Sequence, residues 1–245
     1  MRHSTRLPIH LSLLLALTLT PAMATPETPP ALDRYVAELQ QVEAAQQPVS
    51  LEPLFAASDE AQSAMMTLVD GDRAWIETLD EAAFERLQQT LRGMHLARGY
   101  DIYTQPDGAW FAQLAERHGR AEDRAFFALY RDFWDAENIP KYLALGRRAT
   151  PCVRFGDDII PTLYMQWGEF AQRYPQAYRG FTQQMLSDLE EAVALGVCTC
   201  TDAAAVEKEL TGFVQRFPQT PVAAQVRNRL QELKDDPERR PVHCR

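Results

Sequence analysis

The segment Phe170-Ala-Gln-Arg-Tyr-Pro-Gln176 returns 43 positions later as Phe213-Val-Gln-Arg-Phe-Pro-Gln219. This recurrence constrains the fold because Pro175 and Pro218 cannot continue a helix that precedes them, yet proline is well tolerated in the first turn of the next one. Each copy therefore predicts a helix running into the proline and a second running out of it. In the second copy Val206, Leu210, Phe213, Val214 and Phe217 share one stripe of a helix over Asp202–Phe217, and Val222, Val226, Leu230 and Leu233 form the partner stripe over Pro221–Lys234. Thr220 before Pro221 reads as the N-cap of that last helix. The first copy predicts helices over Pro161–Tyr174 and Gln176–Leu195. Trp110 to Arg131 reads as a more divergent pair, with Gly119 in place of the proline turn.

Upstream, Leu32, Tyr35, Val36, Leu39 and Val42 recur at helical spacing over Ala31–Gln46, and Pro48 and Pro53 break that helix. Asp80 caps a long helix through Arg98, carried by Phe84, Leu87, Leu91 and Met94 and stopped at Gly99. His95 follows Met94 on that stripe and is expected to be half-buried. Asp70-Gly71 between two apolar stretches predicts a short hairpin over Thr67–Ile76, and the β-branched and aromatic run Tyr100–Asp107 is the other strand candidate. Further helices are predicted over Trp110–His118 and Ala121–Ala136. The fold class is thus mainly α: stacked antiparallel helix pairs with one or two short β-hairpin elements in the N-terminal half. Residues 31–108 form an N-terminal helical part and residues 109–245 a helix-pair region.

Glu209 to Leu233, and above all Phe213-Val-Gln-Arg-Phe-Pro-Gln-Thr-Pro-Val-Ala-Ala224, resembles the helical hairpins of tetratricopeptide-like repeats in bacterial envelope proteins. The spacing of 43 departs from the tetratricopeptide period of about 34 residues, and the Trp-Leu-Gly-Tyr signature is missing. The resemblance covers about a tenth of the chain and implies stacked helix pairs used for protein binding.

The compartment is read from both ends of the chain. Arg2, His3 and Arg6 precede the apolar stretch Leu11–Thr20, and Pro21-Ala22-Met23-Ala24 ends in a small-x-small pattern. Residues 1–24 therefore predict a secretory signal peptide cut after Ala24, followed by a Pro-rich leader over 25–30 and a periplasmic or secreted location. The apolar stretch is shorter than the roughly 20 residues of a membrane span, so no span is expected after its removal. Cys152, Cys198, Cys200 and Cys244 are an even set in an exported chain and predict two disulfides. A single residue between Cys198 and Cys200 strains a direct bridge. This leaves Cys152–Cys198 with Cys200–Cys244, or Cys152–Cys200 with Cys198–Cys244. The same spacing falls short of the two to four residues between paired zinc-ligating cysteines, so no metal is expected.

Removing Arg2 and Arg6 from the 25 cationic residues leaves 23 against 34 acidic ones, a net charge of −11. Such a balance argues against nucleic acid as a partner. The chain contains no Gly-x-Ser-x-Gly, no Gly-x-x-x-x-Gly-Lys and no His-Glu-x-x-His, and no cofactor is implied. The richest side-chain chemistry is the aromatic stretch from Phe126 to Tyr142. With one core stripe given to Phe126, Leu129, Tyr130 and Phe133, Phe127 falls outside it, and Phe127, Arg131 and Trp134 become the expected contact surface. The leading expectation is a protein-binding adaptor, assembly factor or inhibitor whose partner is another envelope protein. The alternative is a hydrolase of cell-wall glycan or peptide with Asp132 and Asp135 beside Trp134 as its carboxylate pair.

Overall fold

A computed structural model describes residues 27–235 apart from 70, 100–101, 135–142, 146–150, 197–198 and 200; for 134, 143–145, 151–152 and 196 it describes the backbone only. In chain order the elements are α1 (Pro30–Ala44), α2 (Glu52–Met65), a 3-10 turn (Trp75–Thr78), α3 (Glu81–Thr90), β1 (Met94–Arg98), β2 (Ile102–Pro106), α4 (Gly108–His118) and α5 (Ala121–Trp134). They continue as β3 (Leu143–Leu145), β4 (Pro151–Val153), α6 (Ile159–Arg173), α7 (Arg179–Glu191) with a π-turn (Ala192–Gly196), α8 (Ala203–Arg216) and α9 (Ala223–Asp235). The architecture is mainly helical. Antiparallel pairs α1–α2, α4–α5, α6–α7 and α8–α9 stack around one core, and the hairpin β1–β2 lies against α2.

The repeat is visible in the backbone. Tyr174 (φ −131°, ψ 65°) and Phe217 (φ −122°, ψ 61°) end α6 and α8 in the same conformation. Each donates its N–H to the phenylalanine four residues back, Tyr174 to the Phe170 carbonyl (2.9 Å) and Phe217 to the Phe213 carbonyl (2.8 Å). Three residues on, Ala177 and Thr220 donate to the Tyr174 and Phe217 carbonyls at 3.1 and 3.2 Å. Phe170 and Phe213 are both buried, each packed on the aromatic ring that ends its own helix at 5.4 and 5.2 Å. The copies diverge one residue later. Tyr178 adopts a left-handed φ of 49°, whereas its counterpart Pro221 is held near −65° by its ring, so α9 begins later than α7. Thr220 does not cap α9 with its side chain: its hydroxyl donates to Glu190 Oε1 (3.1 Å) and shares a hydrogen bond with the Tyr164 hydroxyl (3.1 Å).

The N-terminal half corrects three expectations. Pro53 does more than end α1: it sits in the first turn of α2, whose Leu54, Phe55, Ala57, Ala61 and Met65 are buried, and no helix was expected there. The helix predicted through Arg98 stops at Thr90. Gly93 turns the chain at φ 83°, and a Cβ there would lie 2.2 Å from the Trp110 ring, so a side chain is excluded both by conformation and by space. Met94 and Leu96 then point inward from β1 while His95 stands exposed, edge-on to Tyr103 at 5.2 Å. Apolar residues at Leu87, Leu91 and Met94 satisfy the helical period, but Met94-His95-Leu96 equally satisfies the strand period, and the glycine decides between them. Asp80 caps α3 as expected, accepting the Ala83 N–H at 2.7 Å.

The hairpin expected over Thr67–Ile76 reduces to one antiparallel bridge, Leu68 to Ala74. Glu77 Oε2 accepts the Ala74 N–H (2.7 Å), and Trp75, whose N–H still donates to the Thr67 carbonyl (2.9 Å), leads into the 3-10 turn instead of prolonging the strand. The second hairpin, β3–β4, lies in the middle of the chain, outside the expected half; Ala144 pairs with Cys152 in it. Val153 next to it forms a parallel bridge with Thr199. The side chain of Cys152 and residues Cys198, Cys200 and Cys244 fall outside what the structure describes.

Candidate functional site

The surface expected on α5 divides into parts with different fates. Phe127 is 0% exposed, so it belongs to the core and cannot present a face to a partner. It stacks on Phe111 of α4 (4.9 Å, 20°) and meets Phe55 of α2 edge-on at 5.6 Å. Phe126, one residue earlier, shares the Phe55 contact (5.2 Å) and extends it to the next pair: it stacks on Tyr178 at 3.7 Å and approaches Trp167 and Phe170 of α6 at 5.7 Å. A helix held between two neighbours buries two stripes, which a single-stripe reading misses. Arg131 is exposed, and its Nε and Nη2 both donate to Asp132 Oδ1 (2.9 and 2.8 Å). That neighbouring pair occupies Asp132, the first carboxylate of the hydrolase alternative. The Trp134 side chain and Asp135 lie outside the described residues.

The most densely organised polar centre sits at the other end of α5. Asp123, in the first turn of α5, is fully buried. Its Oδ1 accepts the Leu51 N–H that opens α2 (2.9 Å) and the Tyr178 hydroxyl (2.6 Å), and its Oδ2 accepts the Arg120 N–H (2.7 Å). Tyr178 in turn donates its backbone N–H to Glu52 Oε1 at 2.9 Å. The starts of α2, α5 and α7 thus converge on two carboxylates, which satisfy N–H groups left open at helix N-termini and complement their positive dipole ends. Burial first, and the adjacent Asp123 charge second, push the Tyr178 hydroxyl far above its usual range and keep it a neutral donor.

Above this centre opens a cleft of about 400 Å³, lined by Ser50, Glu52, Arg120, Glu122, Arg173 and Tyr174 among others. It lies at the α6–α7 turn. The Arg173 guanidinium lies 5.5 Å from the Tyr174 ring centre, and neither Arg120 nor Arg173 has an ion-pair partner among the described residues. Arg120 and Arg173 line this concave, partly aromatic cleft together with Glu52 and Glu122, and guanidiniums in such a setting suit recognition of carboxylates on a partner chain.

A second cleft, about 530 Å³, is lined by Asp158, Lys208, Glu209 and the neighbouring face of α8. Glu209 is only 3% exposed and takes backbone N–H bonds from Gly156 and from Ile160 (3.2 Å), so it caps α6 from across the interface. Burial raises its pKa, and the same backbone donors act against that rise. Lys208 Nζ donates to the Gly156 carbonyl (3.0 Å) and Arg216 pairs with Asp158 (2.8 Å). Each of these charges ties the segment before α6 to α8, which is a structural use of them.

Asp123 and Glu209 organise these two regions and Arg229 the junction of α9 with the π-turn, where it donates to the Ala192 and Val193 carbonyls; none of the three is among the site residues expected from the sequence. Each is a charged residue standing on an apolar stripe: Asp123 three before Phe126, Glu209 three after Val206, Arg229 three after Val226. A charge on a stripe is buried, and a buried charge must be partnered. No family model, curated protein or solved structure matches this chain.

Proposed function

We propose that the chain is an exported, protein-binding helical protein of the bacterial envelope, acting as an adaptor, assembly factor or inhibitor. The observation that carries this reading is the duplicated helix pair, α6–α7 and α8–α9, with the same turn geometry in both copies. Stacked pairs of this kind create extended concave surfaces, the usual platform for binding another chain. The cleft at the α6–α7 turn supplies a recognition point for a partner segment bearing carboxylates, through Arg120 and Arg173.

The test is retention of partners from an envelope extract on immobilised mature protein. Wild type retains a partner that Arg120→Glu/Arg173→Glu loses by at least about 30-fold, corresponding to about 2 kcal/mol, at an unchanged melting temperature. Arg131→Ala in parallel separates the outer face of α5 from the cleft. Retention unaffected by either variant sinks both site assignments. Release of soluble fragments from peptidoglycan, abolished in Asp132→Asn, would replace the binding reading with the hydrolase.

Export also predicts oxidised cysteines, paired in two disulfides. The parallel bridge of Val153 with Thr199 supports this, since the two residues are sequence neighbours of Cys152 and of Cys198 and Cys200. Thiol titration of denatured, non-reduced mature protein is expected to find no free thiol. Two or more free thiols would overturn the export reading and return the cysteines to consideration as metal ligands.

A further inference from the structure

Arg229 of α9 is 4% exposed, a burial that arginine rarely reaches without a full set of partners. Its Nη1 donates to the carbonyls of Ala192 (2.7 Å) and Val193 (2.8 Å) in the π-turn that ends α7, and its guanidinium lies 5.4 Å from the centre of the Phe155 ring. These contacts fix the plane and orientation of the group. The remaining edge is different: Nε and Nη2 are both buried and neither has a hydrogen-bond partner among the described residues. Glu232, one turn further along α9, acts on the group electrostatically and does not accept from either nitrogen. Burial holds the guanidinium pKa down to about 10, so the side chain is still a cation at neutral pH.

Nε–H and one Nη2–H leave the guanidinium side by side and parallel, with the spacing of the two oxygens of a carboxylate. A planar fork pinned on its opposite edge is pre-organised for this ligand, and a buried cation with two unsatisfied donors is costly without one. We propose that the Nε/Nη2 edge of Arg229 is a carboxylate-binding site, taking one carboxylate side-on between α9, the π-turn and Phe155. The ligand can come from two sources. One is an acidic side chain of this chain, for which Asp236 and Glu238 follow α9 directly in the sequence. The other is a carboxylate from outside the chain.

The site is read by the Nε–H resonance of Arg229 in the isotope-labelled, full mature chain at neutral pH, identified by its loss in Arg229→Lys. Acetate, compared with chloride at equal ionic strength, is the probe. With an external source, acetate moves the wild-type resonance downfield saturably, the accompanying shifts at the Ala192 and Val193 amides vanish in Arg229→Lys, and Asp236→Asn/Glu238→Gln changes neither. With an internal source, the wild-type resonance already lies downfield and ignores acetate, while the double variant moves it upfield and restores a saturable acetate response. A resonance that neither acetate nor the double substitution moves overturns the proposal.

Discussion

Asp123→Ala is expected to lower the free energy of unfolding by at least about 4 kcal/mol, measured by urea denaturation at neutral pH. The substitution leaves two buried donors, the Leu51 N–H and the Tyr178 hydroxyl, and the half-buried Arg120 N–H without their acceptor. Each buried donor left unpaired costs about 1–3 kcal/mol, and those bonded to an ionised carboxylate lie toward the top of that range. Asp123→Asn, which keeps one carbonyl oxygen and turns the other into a donor, is expected to fall between wild type and alanine. A loss under about 1 kcal/mol in the alanine variant would show that water replaces the carboxylate and that the three helix starts do not depend on it.

The second large effect concerns the repeat. Phe170→Ala and Phe213→Ala are each expected to cost about 3–5 kcal/mol, the range for deleting a buried phenylalanine ring. Phe170 packs among Phe126, Trp167, Tyr174 and Tyr178, and Phe213 between Tyr164 and Phe217. Equal positions in the two copies predict similar costs. The Phe170 variant should also lower cooperativity between the two halves of the chain, since only Phe170 reaches α5. A loss below about 1 kcal/mol at both sites would reduce the recurrence to a coincidence of sequence.

The helix pairs were legible because their information is local. Stripes at steps of three and four, Asp80 as an N-cap, and prolines at the turns all act within one turn of the residues they govern. Where reading failed, the deciding contact was distant. Met94-His95-Leu96 fits either period, and the Trp110 ring, 17 residues after Gly93, leaves room only for the glycine turn. Phe127 looked outward because its partners, Phe111 and Phe55, approach α5 on a side that one helix cannot reveal by itself. Of the polar centre, the residue types were visible and the convergence was not: Leu51 and Asp123 lie 72 positions apart, and Tyr178 and Glu52 lie 126 apart.

Those long separations set how the molecule comes apart. In a simple solenoid each repeat touches only its neighbours, so opening can begin at an end and travel the whole length. Here α9 packs chiefly on α8, the π-turn and, through Arg229, Phe155, and the last pair can loosen ahead of the rest once Glu209 gives up the start of α6, at a free energy below that of global unfolding. The opening then halts at Tyr178. To release that residue the chain must give up Asp123 and Glu52 together, and with them the start of α2, so everything from α1 to α7 yields in one step. The Asp123 carboxylate is in this sense a firebreak: it confines breathing to the C-terminal pair and makes the rest of a repeat-like protein behave as one indivisible body.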